Sequence, residues 1–300
     1  MNKALRLLSI ISITSIATLL VNTISKENEP EVKNVAESYE IKAVKLPDSM
    51  NLAGELVPLD RPDIRERMDR ELLVNTYWQS NGLLLIKRAH KYFPVIEPLL
   101  AKYGLPDDFK YLSLAESGLM NVKSYAGAAG FWQFLKGTAR EYGLEVNDNV
   151  DERYHLEKAT RIAAEYLKKS KEKFGSWTLA AAAYNAGDGR ISQRLNEQQV
   201  TNYFDLLLNE ETSRYVFRIL ALKEIISNPT KYGFVFNQED LYKPTKTYEV
   251  AIDTAITDIA SFAKGFGVTY KDLKLENPWL RETNLNNKSR KLYFIKIPTK

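Results

Sequence analysis

Glu116 is the residue of this chain best placed for acid catalysis. Leu112 lies four residues before it and Leu119 three residues after it, so a helix through this segment would carry Glu116 on its apolar face. A carboxyl group in apolar surroundings loses the hydration of its charged form, and its pKa therefore rises. Such a group can hold a proton near neutral pH and donate it to a glycosidic oxygen. The same pattern also fits a half-exposed or ion-paired glutamate.

The segment after Glu116 has the composition of a wall of a sugar groove. No Asp or Glu occurs between Glu116 and Glu141, and this interval contains Ser124-Tyr125-Ala126-Gly127-Ala128-Ala129-Gly130 followed by Phe131-Trp132-Gln133. Aromatic rings can contact sugar faces, while Gln and Ser can bind hydroxyl and acetamido groups. The alternative is a plain turn followed by a tryptophan of the core.

Four predicted helices must position these groups. Their apolar spacing predicts helices that begin near Pro106, Leu156, Trp177 and Glu211. The first ends directly after Glu116 at Ser117-Gly118, and the third delivers Tyr184 and Asn185 to a glycine-containing turn. Upstream of them, Pro94 and Pro98 predict a helix start or a break.

Four motifs, in this order and spacing, resemble those of family 1 lytic transglycosylases, and most closely the membrane-bound D branch. The motifs are Glu116-Ser117, Gly130-Phe131-Trp132-Gln133, Ala183-Tyr184-Asn185-Ala186-Gly187, and Glu211-Thr212 with Tyr215-Val216. The similarity covers the chain from roughly Tyr77 to Ile226. It implies a mainly α fold, namely a lysozyme-like helical domain of the goose-type or SLT class. It also implies cleavage of the β-1,4 bond between N-acetylmuramic acid and N-acetylglucosamine in peptidoglycan.

The resemblance implies a single catalytic acid/base, Glu116, and a set of substrate-binding residues. That set is Ser117, Ser124, Gln133, Tyr184, Asn185 and Tyr215. Within it, Ser117 has a partly structural role, Ser124 is expected to contact the muramyl acetamido group, and Tyr184 is expected to hydrogen-bond and orient Glu116. The chain departs from the family at Phe131-Trp132, where many members have Leu-Met, and this implies a bulkier groove floor.

The scarcity of acidic residues near Glu116 bears on the mechanism. A glycosidase with two carboxylates needs the second one roughly 5 to 9 Å from the acid. Nothing acidic follows Glu116 closely in sequence, although folding can bring a distant residue near. The consistent interpretation is a lytic transglycosylase in which the 2-acetamido group of the muramyl sugar is the nucleophile and a 1,6-anhydromuramyl end forms, without metal or cofactor. The alternatives are a lysozyme-type muramidase, which is a hydrolase, and a non-catalytic peptidoglycan-binding scaffold.

The end of the chain resembles a LysM module, a small strand-helix-helix-strand (βααβ) unit that binds N-acetylglucosamine polymers. The similar segments are Tyr248-Glu249-Val250, Ile252-Asp253-Thr254, Asn277-Pro278-Trp279 and the stretch from Leu292 to Pro298. Independently of the family, Tyr293, Ile295 and Ile297 alternate as in a strand. This copy is degenerate, since Ala255 replaces the usual aliphatic residue. The alternative is a small packing domain that caps the core.

These observations divide the chain into four parts. We expect a signal peptide or N-terminal anchor over residues 1–25, a linker over 26–64, a lysozyme-like transglycosylase domain over 65–230 and a LysM-like peptidoglycan-binding domain over 245–300. Lys3 and Arg6 precede an apolar run from about Leu7 to Ile24, which is the pattern of an export signal and just long enough to span a membrane. The chain is therefore expected in the periplasm or cell envelope, either free or membrane-anchored.

Composition excludes several classes of function. The chain has no cysteine, which removes disulfides, thiolate metal sites and the lipid-bearing cysteine of a lipoprotein. Only two histidines are present, His90 and His155, and their charged neighbours predict that both are solvated, so a multi-histidine metal centre is not expected. The net charge is only +4, with Lys and Arg interleaved with Asp and Glu. The expected partner is therefore the peptidoglycan glycan strand rather than nucleic acid.

Overall fold

Helices dominate the computed structural model of the chain, which describes residues 41–299. The α-helices are α1 (Pro62–Tyr77), α2 (Gln79–Lys102), α3 (Phe109–Ser117), α4 (Lys136–Glu141), α5 (Leu156–Phe174), α6 (Trp177–Ala186), α7 (Asp188–Gln198), α8 (Glu210–Ser227), α9 (Ile259–Gly265) and α10 (Tyr270–Glu276). The strands are β1 (Asn51–Leu52), β2 (Glu55–Leu56), β3 (Thr247–Ile252) and β4 (Tyr293–Pro298). Short 3-10 helices lie at Glu152–Tyr154, Tyr203–Asp205, Pro229–Tyr232 and Gln238–Asp240. The prediction of a mainly α fold is confirmed.

Helix α8 is the central element of the helical domain, and it packs against α1, α3 and α6. Asn209 caps it by accepting a hydrogen bond from the backbone N–H of Thr212 at 2.9 Å, while Glu210 and Glu211 stabilise the positive end of the helix dipole. Its buried residues include Tyr215, Val216, Phe217, Ile219, Leu220, Ala221, Leu222 and Ile225. A helix that is buried over so much of its circumference has its rotation set by the core, and the position of Tyr215 is set with it.

Two helices end where residues of the predicted site begin. Helix α3 ends at Gly118, whose φ of 60° is the left-handed conformation that favours glycine, so Glu116 lies in the last turn. Helix α6 is made largely of small side chains that let α5 and α8 approach closely. It ends at Gly187, with φ at 88°, and this leaves Tyr184 and Asn185 in its last turn.

Helix α2 runs through both prolines of its sequence. Pro94 and Pro98 lie inside the helix, so the prediction of a helix start or break at these positions is wrong. Each proline removes one backbone N–H donor, but Phe93, Ile96 and Leu100 around them are buried in the core. We infer that this packing outweighs the lost hydrogen bonds, because the helix stays continuous over 24 residues.

The segment before α1 is part of the helical core, whereas the sequence predicts a linker up to residue 64. Its buried residues are Leu46, Met50, Leu52, Val57 and Leu59. The hairpin of β1 and β2 is held in place by the N–H of Ala53, which donates to Asp108 Oδ2 at 2.6 Å. Strands of two residues are too short to show a periodic pattern, and for this reason the hairpin cannot be predicted from the sequence.

Glu55 in β2 caps helix α6 from this segment. Its carboxylate accepts hydrogen bonds from Ser176 Oγ at 2.8 Å, from the backbone N–H of Thr178 at 2.9 Å and from the N–H of Trp177. Burial alone would raise the pKa of Glu55, but the hydrogen bonds from Trp177 and Thr178 outweigh burial and hold the pKa below its ordinary value. The segment before α1 thus stabilises the start of α6, the helix that carries Tyr184.

The C-terminal unit has the predicted strand-helix-helix-strand order. Strands β3 and β4 pair antiparallel, from Thr247 opposite Pro298 to Ile252 opposite Tyr293. The alternating burial predicted for the last strand is present, since its residues 293, 295 and 297 are buried and the residues between them are not. Helices α9 and α10 pack together, and α10 also packs against β4.

Apolar, polar and aromatic contacts hold this unit against the helical domain. Its hydrophobic cluster includes three residues of the helical domain, namely Ala129, Val150 and Tyr154. The N–H of Asp151 donates to the carbonyl oxygen of Trp279 at 2.9 Å. The prediction that His155 is solvated is wrong, because its ring stacks against Trp279 with 5.8 Å between the ring centroids. The C-terminal unit is therefore packed on the helical domain rather than tethered to it.

The predicted signal peptide or anchor over residues 1–25 lies outside the described residues. The first part of the predicted linker, residues 26–40, also lies outside them. Within residues 41–299, no helix is both long enough and apolar enough to cross a membrane.

Replacing Leu52 by alanine tests whether the segment before α1 belongs to the core. Leu52 is fully buried, whereas Leu56 in the paired strand is 71% exposed. We expect Leu52→Ala to lower the free energy of unfolding by about 2 to 5 kcal/mol, as for other core leucines. The matched control Leu56→Ala should change it by less than about 0.5 kcal/mol. Urea denaturation measures both variants, and equal effects would contradict the packing of this segment.

Candidate active site

Glu116 lies half-buried in the last turn of α3, and Tyr215 of α8 donates a hydrogen bond from its hydroxyl to Glu116 Oε1. Burial raises the pKa of Glu116 from 4.5 to about 7. The hydrogen bond from Tyr215 opposes this rise, the negative charge of Glu211 adds to it, and the positive charge of Arg218 opposes it. Near neutral pH, both the protonated and the ionised form of Glu116 are therefore accessible.

Tyr184 does not make the hydrogen bond to Glu116 that the family resemblance implies. Its hydroxyl instead donates to the carbonyl oxygen of Trp132 at 2.7 Å. Burial, and next the charge of Glu116, raise the pKa of both Tyr184 and Tyr215 well above the ordinary value. Tyr184 is thus a neutral neighbour of Glu116 that holds the loop after α3, while Tyr215 orients the carboxyl group.

Ser117 and Trp132 fix this loop from the inside. Ser117 is buried and donates from Oγ to the carbonyl oxygen of Phe131 at 2.8 Å, which is a structural contact. Trp132 is fully buried, and its indole N–H donates to Thr160 Oγ1 at 2.9 Å. Phe131 is buried as well. The expectation of a groove floor made by Phe131-Trp132 is therefore wrong, because both rings belong to the core beneath the loop.

Ser124 and Gln133 take part in the turns of the same loop. Ser124 is exposed, and its Oγ accepts a hydrogen bond from the N–H of Ala128 at 3.0 Å. The side-chain nitrogen of Gln133 donates to the carbonyl oxygens of Gly130 at 2.7 Å and Val122 at 3.1 Å. Both side chains shape the loop, and their contacts with a substrate stay predictions.

Asn185 links the end of α6 to the start of α8. Its side-chain nitrogen donates to Glu211 Oε1 at 3.2 Å, and its side-chain oxygen accepts a hydrogen bond from Thr212 Oγ1 at 2.8 Å. Glu211 is exposed and near enough to Glu116 to raise the pKa of that residue. Folding therefore brings a second carboxylate to the site, although none follows Glu116 closely in sequence.

Arg153 supports this region, although the sequence alone gives no sign of that role. Its guanidinium forms a buried, bidentate contact with Asp151, at 2.7 Å from Nη2 and 3.0 Å from Nε. It also donates to the carbonyl oxygens of Gly127 at 2.8 Å and Phe134 at 3.1 Å, so it holds both ends of the loop over residues 127–134. The loop lies so close that a Cβ on Gly130 would be 1.9 Å from the carbonyl oxygen of Arg153. A charged run in the sequence resembles a solvated surface and does not reveal this role.

These contacts define a site for acid–base chemistry. Glu116 can donate or accept a proton near neutral pH, and Glu211, whose charge acts on it, is held by the amide of Asn185. In the part of the chain that the structure describes, no group of three or more His, Asp or Glu side chains is placed to hold a metal ion. Such a site is suited to the cleavage of a bond by proton transfer.

Most of these residues fall within a region that matches a known domain. Residues 94–206 match the family described as "Transglycosylase SLT domain". The chain carries an SLT transglycosylase domain. Residues 248–300 match the family described as "Soluble lytic transglycosylase C-terminal LysM-like domain". The resemblance to lytic transglycosylases and to a LysM module is thereby confirmed.

Curated proteins and solved structures include similar chains. The membrane-bound lytic murein transglycosylase D of Escherichia coli (strain K12) is 28% identical over 243 residues, which are 79% of this chain and 52% of that protein. This chain thus spans about half the length of the curated relatives that it matches. An inactive mutant of the lytic transglycosylase Slt from Pseudomonas aeruginosa aligns with a TM-score of 0.39 and 23% identity, over 51% of this chain and 26% of that one. The 70 kDa soluble lytic transglycosylase of Escherichia coli aligns with a TM-score of 0.41 and 16% identity, over 69% of this chain and 41% of that one.

The raised pKa of Glu116 predicts a pH-dependent effect on stability. Its pKa is higher in the folded chain than the ordinary 4.5, so the folded protein loses stability as the pH rises from 4.5 through about 7. Glu116→Gln removes this titration. We expect the variant to match the wild type near pH 4.5 and to be more stable by about 2 to 3 kcal/mol at pH 8. Urea denaturation at both pH values measures the difference, and a gap that does not change with pH would refute the raised pKa.

Two tyrosine variants test which hydroxyl controls Glu116. Tyr215→Phe removes the hydrogen bond that opposes the rise, so the pKa of Glu116 should increase and the basic limb of the activity profile should move to higher pH. Tyr184→Phe is the matched control, and it should lower activity through a looser loop without moving that limb. The measurement is kcat as a function of pH for both variants. If the basic limb moved in Tyr184→Phe and not in Tyr215→Phe, Tyr184 would be the residue that controls the pKa of Glu116.

Proposed function

We propose that this chain is a lytic transglycosylase that cleaves the β-1,4 bond between N-acetylmuramic acid and N-acetylglucosamine in peptidoglycan. The observation that carries the proposal is a glutamate with a pKa of about 7, Glu116, inside an SLT domain. The curated relatives are named as membrane-bound murein transglycosylases, which supports murein as the substrate and the cell envelope as the place of action. An exported chain, as the N-terminal sequence predicts, would reach that place.

In the proposed mechanism, Glu116 acts first as an acid and then as a base. It donates its proton to the glycosidic oxygen, so that N-acetylglucosamine leaves as an alcohol while the 2-acetamido oxygen of the muramyl sugar bonds to the anomeric carbon. The ionised carboxylate then accepts the proton of the C6 hydroxyl, whose oxygen displaces the acetamido oxygen and closes a 1,6-anhydro ring. A pKa near 7 makes both protonation states accessible at neutral pH. The hydrogen bond from Tyr215 stabilises the charged form that the second step requires.

A lysozyme-type hydrolase is the second candidate, and the position of Glu211 is the observation that favours it. A carboxylate that affects the pKa of Glu116 is a potential base for an attacking water molecule. We favour the transglycosylase because the matched domain is an SLT domain and because Glu211 is already engaged by Asn185. A scaffold that only binds glycan would have no use for a glutamate that holds its proton at neutral pH.

For the C-terminal unit, we propose a structural role in the same reaction. The guanidinium of Arg281 lies 4.2 Å from the ring centroid of Tyr154, and Trp279 accepts the hydrogen bond from Asp151. Both contacts stabilise the segment that contains Arg153. Arg153 in turn holds the loop over residues 127–134. Peptidoglycan binding by this unit stays the sequence-based prediction.

Digestion of purified peptidoglycan tests the proposed reaction. We expect the wild type to release muropeptides with 1,6-anhydromuramyl ends, which mass spectrometry distinguishes from hydrolysis products by the absence of one water. Glu116→Gln should lower the rate of release by about 10²- to 10⁴-fold, because an amide cannot donate and accept the required proton.

Glu211→Gln is the matched control, since it neutralises the other carboxylate near Glu116. Under the transglycosylase mechanism it should lower release by less than about tenfold and leave the anhydro ends unchanged. Reducing muramyl ends, together with a loss in Glu211→Gln as large as in Glu116→Gln, would assign a hydrolase instead. No release by the wild type between about pH 5 and 8 would favour the scaffold.

A further inference from the structure

A cleft of about 390 Å³ opens beside the catalytic glutamate, where α1, α2, α3 and α8 meet. Its lining includes Arg88 of α2 and both Arg214 and Arg218 of α8, and we call it the arginine pocket. Its lining includes Ala115 and Ser117, the chain neighbours of Glu116, and Arg218, whose charge acts on the pKa of Glu116. The exposed ring of Trp78 lies at its rim.

The charges that line the arginine pocket are unbalanced. Glu71 is the acidic residue of its lining, and its Oε1 lies 2.5 Å from Nε of Arg214. Arg218 makes no hydrogen bond with any residue between 41 and 299, and its Nε is 3.9 Å from Glu71 Oε2. Arg88 donates one N–H to the carbonyl oxygen of Gly118 at 3.2 Å. Two guanidinium groups therefore have donors left for a ligand, and guanidinium groups select carboxylates.

Glu71 gives a second and independent indication of a ligand. Its side chain is 1% exposed, and its Oε2 has no hydrogen-bond partner among the residues that the structure describes. A buried carboxylate oxygen without a donor is unfavourable, so its presence in the pocket wall requires an explanation. An N–H group of a ligand would supply the missing donor. The arginine pocket thus offers donors for carboxylates and one acceptor for an N–H group.

We propose that the arginine pocket binds the peptide stem of the muramyl sugar, with Arg88 and Arg218 donating hydrogen bonds to its free carboxylates. A stem has both groups that the pocket matches, namely carboxylates for the guanidinium groups and N–H groups for Glu71. The sugar rings present neutral hydroxyl and acetamido groups, which have no charge for Arg88 or for Arg218, whose one ion pair, with Glu71, is long at 3.9 Å. This inference rests on the proposed function, because it takes a muramyl sugar beside Glu116 as given.

Binding of a stem would also act on the catalytic acid. The positive charge of Arg218 lowers the pKa of Glu116. A carboxylate bound to Arg218 offsets that charge, so the pKa of Glu116 rises and a larger fraction of the enzyme holds the proton. A substrate that carries its stem would therefore favour the form of the enzyme that starts the reaction.

Soluble glycan strands with intact stems, before and after chemical amidation of the stem carboxylates, test this proposal. Amidation keeps the length of the stem and removes its negative charge. For the wild type we expect kcat/KM to be about tenfold higher on untreated than on amidated strands, as for one charge-assisted hydrogen bond. In Arg88→Gln and in Arg218→Gln, this ratio should fall toward one. The ratio compares two substrates of the same enzyme preparation, so a partly unfolded variant does not distort it.

Arg194→Gln is the matched control for the arginine pocket. Arg194 is an exposed arginine of α7 that is paired with Glu197 at 2.8 Å, and it does not line the pocket. This variant should keep the wild-type ratio of about ten. A wild-type ratio near one would overturn the proposal, and so would a wild-type ratio retained in Arg88→Gln and Arg218→Gln.

The same experiment separates this proposal from the proposed function. If amidated and untreated strands both yield 1,6-anhydro ends at equal rates, the pocket assignment fails while the transglycosylase assignment stands. If the wild type releases no such ends from either kind of strand, the proposed function itself is contradicted.

Discussion

The hydrogen bond from Tyr215 to the half-buried carboxyl group of Glu116 is the interaction on which the rest of the site depends. Burial makes the ionised carboxylate unfavourable, and the tyrosine hydroxyl restores part of the lost stabilisation, so that the pKa lies near 7. Helix α8 contributes more than this hydroxyl, because Glu211, Tyr215 and Arg218 follow one another at steps of four and three residues on one face. The negative charge of Glu211 raises the pKa of Glu116, and the positive charge of Arg218 lowers it. The acid is therefore sensitive to any ligand that pairs with either charge.

Much of the support for this pair comes from elements outside α3 and α8. Arg153 holds both ends of the loop over residues 127–134, and the C-terminal unit packs on the segment that carries Arg153. On the other side, Glu55 caps the helix that carries Tyr184, whose hydroxyl binds the same loop. Ordering a loop of this length costs conformational entropy. These contacts offset that loss in the folded protein, so the loop is ordered before a substrate binds. The parts of the chain on both sides of the SLT match thus help to shape the candidate active site.

Local patterns in the sequence were enough for the class of fold and for the place of Glu116 in the last turn of a helix. The step from Leu112 to Glu116 to Leu119 is a property of a single helix, and Gly118 ends that helix by a conformation that glycine adopts most easily. The alternation over the last strand is equally local, and its burial pattern agrees with the prediction. The ordered motifs added the family, which the matches to the SLT and LysM-like domains confirmed.

Tertiary structure decided everything that depends on which elements meet. Tyr184 and Tyr215 both lie in motifs, and only the packing of α6 and α8 determines that the second one reaches Glu116. Arg153 and Glu55 lie in polar segments without periodicity, so their burial depends on partners far away in sequence. A sequence pattern reports how a segment presents its own faces, whereas hydrogen bonding and desolvation at a site depend on the distances between segments. For that reason the sequence by itself located Glu116 as the candidate acid, and the fold determined which groups contact this residue and shift its pKa.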